Sequence, residues 1–140
     1  MTTTDPPLRQ IIEAALARHP GPVADTALHL WRKLAPELIT IIGELGFDAL
    51  YARSIRLARL RHPWIRQDAG TLSGDDVFAP LQQSLQAQDQ AQAGLASLAL
   101  FTNFFDTLAL LIGEALTKHL LHSAWGEETS DIRGNNFNAE

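Results

Sequence analysis

The sequence predicts an all-α fold, an antiparallel helical bundle of about five helices, and leaves two readings of its internal likeness: one helical unit written twice, or leucine-rich helices that align by coincidence. Three observations carry this. Apolar residues recur at spacings of three and four, with no period-two alternation of the kind a strand needs. Clusters of Pro and Gly separate the periodic stretches. The tetrad Ile41-Ile42-Gly43-Glu44 returns as Leu111-Ile112-Gly113-Glu114, half of the 140-residue chain further on. A chain of this length is the usual size of one domain. One helical domain is therefore expected over 1–140, with repeat units at 5–62 and 75–126, a linker at 63–74 and a frayed tail at 127–140.

The first helix is expected from about Pro7 to Arg18, with Leu8, Ile11, Ile12, Ala15 and Leu16 on one face. Asp5, Pro6 and Pro7 suit its start, and His19-Pro20-Gly21-Pro22 stops it. A second helix starts near Asp25 and aligns Leu28, Trp31, Leu34, Leu38, Ile41, Ile42 and Leu45, with Pro36 expected to kink or split it. After Gly46 the apolar stripe moves to the opposite side, on Phe47, Leu50, Tyr51, Ser54 and Ala58. A break between Gly43 and Gly46 accounts for that jump. The continuation ends near His62, before Pro63. A further helix starts at Asp75-Asp76 and carries Phe78, Leu81 and Leu85. The Gln- and Ala-rich stretch Gln82–Gln92 reads as a solvated helix. The last helix is expected to run unbroken from Gly94 to about Trp125.

The half-chain shift places Leu8 on Phe78, Ile11 on Leu81, Leu30 on Leu100, Trp31 on Phe101, Leu34 on Phe104, Leu38 on Leu108 and Leu50 on Leu120. A helix-interior glycine costs about 1 kcal/mol against alanine, so Gly43 and Gly113 need compensation. Close helix–helix approach is the usual one, and a bend is the other. Glu114 shares its side of the helix with Leu110, Leu121 and Trp125, while a second apolar stripe faces the other way. A helix apolar on both sides is central in its own bundle or covered by another chain. Leu110, Glu114, Leu121 and Trp125 are therefore candidate interface residues, with Lys118 an i,i+4 partner for Glu114.

Charge narrows the partners. The net charge of −5 argues against a general nucleic-acid binder. Yet Arg53, Arg56, Arg59, Arg61 and Arg66 place five of the 11 basic residues in one short acid-free segment, with Trp64 beside them. Arg53, Arg56, Arg59, Arg61 and Trp64 are candidates for binding an acidic partner or a small anionic ligand. Cysteine is absent, which excludes disulfides and thiolate chemistry. The N-terminal residues show no signal-peptide pattern. Asn103, Asp106, Glu114 and Lys118 interrupt the longest apolar stretches, so no membrane span is expected. These features fit a cytoplasmic location.

Five histidines invite a search for chemistry. His19 and His62 sit at helix ends, where they suit the dipole. His119 and His122 are i,i+3, with His119 on the core stripe. Neither a Glu-x-x-His pair nor a further ligand set accompanies them, so no metal or cofactor is expected. The segment His29-Leu30-Trp31-Arg32-Lys33-Leu34-Ala35 resembles the phosphorylation site of histidine-phosphotransfer bundles, which are acidic and all-α. Such a resemblance implies a signalling role for His29. The Lys-Gly pair that those modules carry after their histidine is missing here, and bulky Trp31 stands nearby.

There is no P-loop, dinucleotide fingerprint, Gly-x-Ser-x-Gly or His-Glu-x-x-His, and no catalytic residue is assigned. The expectation is a non-catalytic regulatory or adaptor protein acting by helix packing as a homodimer or with another protein. The alternative is a small-molecule sensor or enzyme, its pocket lined by Trp31, Glu44, Phe101, Phe104 and His119.

Overall fold

Every regular element among the described residues is a helix. A computed structural model describes residues 7–18, 21–66 and 78–129. Its five helices are α1 (Leu8–Arg18), α2 (Val23–Ala58), α3 (Ala79–Gln86), α4 (Gln90–Ile112) and α5 (Glu114–Thr129). The expected all-α bundle is thus observed. His19, most of the expected linker with Asp75-Asp76, and the tail from residue 130 lie outside the described residues.

The repeated tetrad is a corner, used twice. α2 breaks at Gly43, with φ 82° and ψ 163°. α4 ends at Gly113, with φ 95° and ψ 151°. This backbone region is essentially reserved for glycine. A Cβ at either position would meet nothing within 4 Å. Close helix–helix approach is therefore not what requires these glycines; the turn of the chain is. The residue after each glycine opens the next helix, where a carboxylate favours the positive end of the dipole. Glu114 lies in the first turn of α5, and Glu44 follows the break in α2. The Thr117 hydroxyl closes the second corner by donating to the Gly113 carbonyl at 2.8 Å.

Pro36 does not split α2, whose single departure from helical φ/ψ is at Gly43. The last helix, expected to be continuous, is two helices meeting at Gly113, and it begins earlier than Gly94. The Asp89 carboxylate starts α4 by accepting the Gln92 N–H at 2.8 Å. This cap divides the expected Gln82–Gln92 helix between α3 and α4.

The two long helices lie side by side and run in the same direction. At their starts, the Val23 N–H donates to Gln90 Oε1 at 2.8 Å, and Gly94 faces Val23. Further along, Trp31 stacks on Phe101 with ring centroids 4.4 Å apart. These pairs lie within three residues of the half-chain offset, so 23–42 and α4 run parallel. Both glycine corners consequently come at the same end of the bundle.

Beyond the corners the chain turns back. In the arm 44–58, Phe47 packs on Phe104 at 5.6 Å, while Leu57 and Ala58 face Leu95 and Leu98 across a cleft. In α5, the Ser123 hydroxyl donates to Glu37 Oε1 at 3.2 Å, and the Trp125 indole N–H donates to the Leu30 carbonyl at 3.0 Å. Each arm after a corner therefore runs antiparallel to the long helix of the other half. α1 packs chiefly on α4 and α5, and α3 packs on α2. The two halves are interlaced.

Apolar burial holds the arrangement together. Trp31 is enclosed by Phe47, Tyr51, Phe78, Phe101 and Phe104. Leu100, Phe105, Leu108, Leu121 and Trp125 extend this core. α4 is, among the described residues, the one helix long and apolar enough to cross a membrane. Expecting no such helix from Asn103 and Asp106 underestimated its apolar character. Its Leu100, Phe101, Phe104, Phe105 and Leu108 are all buried against the other helices.

Candidate functional site

Among the described residues seven large apolar side chains are exposed, and they fall in two places. The first is the end of the bundle that carries both corners. Ile41 and Leu45 flank Gly43, while Leu110, Leu111 and Leu116 flank Gly113. Leu45 is 80% exposed, Leu110 86% and Leu111 67%. The second place is a cleft at the base of the returning arm, where Leu60 and Leu95 are exposed. Isolated exposed leucines are ordinary; groups of them mark interaction sites.

Leu110 and Glu114 of the candidate interface are thus on the surface, at the corner end. Leu121 and Trp125 are not. Both are 0% exposed, covered by their own chain. The corner explains this correction. Leu110 precedes Gly113 and Leu121 follows it, so they belong to helices of different direction. A single helical wheel drawn through Gly113 merges two unrelated faces. Glu114 does pair with Lys118, at 3.2 Å.

The arginine cluster separates into structural and surface members. The Arg59 guanidinium donates to the Ile65 carbonyl at 2.7 Å and the Pro63 carbonyl at 3.3 Å, holding the turn after α2. The Arg66 guanidinium donates to Gln83, and its backbone N–H donates to Ser84 Oγ at 3.0 Å, fastening that turn to α3. Arg53 and Arg56 are exposed on the arm 44–58. Trp64 is half-buried against the His62 ring, with centroids 5.8 Å apart. Arg61 alone of these arginines lines the cleft, with Arg9 from α1 beside it.

That cleft has a volume of about 530 Å³, within the range of small-molecule sites. Leu57, Leu60, Leu95 and Leu98 form its apolar wall, and no carboxylate lines it. His62 and Thr102 also line it. His62 Nδ1 and Thr102 Oγ1 are buried without a hydrogen-bond partner, an uncommon and costly condition.

The pocket expected from Trp31, Glu44, Phe101, Phe104 and His119 does not form. Trp31, Phe101 and Phe104 are fully buried in contact with one another and fill the core. Glu44 and His119 are exposed. A helical wheel drawn unbroken through Gly113 puts His119 on the core stripe, and the corner moves it outward. His122 is exposed as well. Among the described residues no group of three or more His, Asp or Glu side chains could hold a metal ion. His29 lies exposed on α2, while neighbouring Trp31 is buried.

The corner end carries acid beside its leucines. Burial, and then the charge of Glu44, raise the Asp48 carboxyl above its ordinary value of 3.8. The folded chain holds this proton at pH values where the unfolded chain has lost it. Stability from this group therefore falls as pH rises through that window. Asp48→Asn is expected to be more stable than the parent at neutral pH and no more stable below 3.8, as read by urea unfolding at both.

Comparison of the chain with protein-family models, with curated proteins and with solved structures found no match.

Proposed function

We propose that the protein is a non-catalytic regulatory or adaptor module that works as a homodimer, its two copies packed through their glycine-corner ends. One observation supports this above others: Ile41, Leu45, Leu110, Leu111 and Leu116 gather exposed at one end of the bundle, the larger of the two exposed apolar groups among the described residues. Water penalises such an apolar group by about 25 cal/mol per Å² left uncovered. The two corners are alike in kind: Ile41, Leu45 and Glu44 surround one glycine, and Leu110, Leu111, Leu116 and Glu114 surround the other. A surface built this way suits an isologous contact, in which the same residues serve both partners. Glu44, Asp48 and Glu114 sit around it, so partner choice and pH sensitivity reside in the rim while the leucines supply contact area.

Light scattering on the full chain at micromolar concentration is expected to give a dimer. Leu45→Glu with Leu110→Glu should give a monomer of unchanged helicity, because both side chains are exposed and neither supports the core. A wild-type monomer at that concentration, or a double variant that still dimerises, overturns the proposal.

A further inference from the structure

We propose that the cleft between α1, the end of α2 and α4 is a binding site for a small amphiphilic anion, an alkyl or aryl carboxylate. Its head would lie on Arg9 and Arg61, and its body against Leu57, Leu60, Leu95 and Leu98.

The chemistry is written on the walls. Two arginines from separate elements, Arg9 and Arg61, line one cleft, and no acid is among its lining residues. Arg9 also pairs with Glu13 of its own helix at 3.1 Å, an exposed contact in which both side chains are more than half accessible. Such a contact yields readily to a better-placed carboxylate. Guanidinium groups hold carboxylates through charge-assisted, often bidentate hydrogen bonds. Inorganic anions would use the arginines alone and leave the leucines in water. Leu60 is 79% exposed and Leu95 57%, in a bundle that buries most of its leucines. An apolar body covering them gains from their desolvation. His62 and Thr102 add polar side chains to the same lining. The volume of about 530 Å³ suits a single small molecule.

The site is remote from the glycine corners, because it lies where the arm 44–58 ends. It therefore stands independently of the self-association reading.

Calorimetric titration of the full chain with decanoate, at submillimolar concentration, tests the proposal. Saturable one-to-one binding is expected, at least tenfold tighter than for decanol, which shares the chain and lacks the charge. Arg61→Ala should weaken decanoate binding about tenfold, and Leu95→Asn by a similar factor. Both residues are exposed, so circular dichroism should show both variants folded. Inorganic phosphate should not compete at millimolar concentration. The proposal is overturned by absent or non-saturable binding, by equal affinity for decanoate and decanol, or by phosphate competing as well as decanoate binds. It is also overturned if either folded variant retains full affinity.

Discussion

Trp31→Ala is expected to destabilise the protein by about 3–5 kcal/mol, the range for truncating a fully buried large aromatic. Trp31 is 0% exposed and has Phe101 at 4.4 Å, with Tyr51 and Phe104 each at 5.1 Å. Its neighbours come from the arm 44–58 and from α4, so few of them can collapse into the space without moving a helix. Domains of this kind are stable by about 5–15 kcal/mol in total, so the loss is a large share. Trp31→Phe should cost clearly less. The Trp31 indole N–H is buried without a hydrogen-bond partner, and leaving such a group unpaired costs about 1–3 kcal/mol. Phenylalanine forfeits ring area and removes that penalty. Urea unfolding followed by circular dichroism, at one protein concentration for all variants, measures both. A Trp31→Ala variant as stable as its parent would contradict the aromatic core.

Gly43→Ala and Gly113→Ala are each expected to cost about 1–3 kcal/mol from backbone strain alone. The two positions carry φ values of 82° and 95°. Space is not the obstacle, since an added Cβ would meet nothing within 4 Å at either. Gly126→Ala is the control. Its Cβ would also meet nothing, and Gly126 is not among the glycines with positive φ. That substitution should be neutral or slightly stabilising. Thermal or urea unfolding of the three variants separates conformation from crowding. Equal behaviour at Gly43, Gly113 and Gly126 would show that the corners impose no special backbone.

How much of this was readable in the chain differs from element to element. α1 and the start of α2 were legible because a single apolar face meets the core, and Pro and Gly bound the stretch. The break at Gly43 was legible because the apolar stripe changes sides, from Trp31, Leu34 and Leu38 to Phe47, Leu50 and Tyr51. The matching break at Gly113 gave no such jump. Leucines lie on both sides of it, and a wheel drawn through it remains apolar all round. The half-chain offset, applied to Gly43, would have supplied the missing corner. It would also have withdrawn Leu121, Trp125 and His119 from the roles assigned to them. The start of α4 had a local signal, Asp89 followed three residues later by Gln92, which is a capping pattern. The cleft had none. Arg9 and Arg61 are far apart in sequence and line one cleft only because the fold packs α1 against the rest of the bundle, which no local pattern encodes. Likewise, Arg59 and Arg66 read as surface charge, while their guanidiniums donate to carbonyls of the turn after α2 and to the Gln83 side chain of α3.

The interlacing of the two halves bears on how the chain can be made. α1 finds its principal neighbours in α4 and α5, and the arm 44–58 finds Phe104. A ribosome releases these partners after α1 and α2. While they are still being synthesised, the N-terminal helices have no core to join, and Trp31 waits without Phe101. Domains fold as units during synthesis. In this topology the unit stays incomplete until α4 arrives between elements made before it.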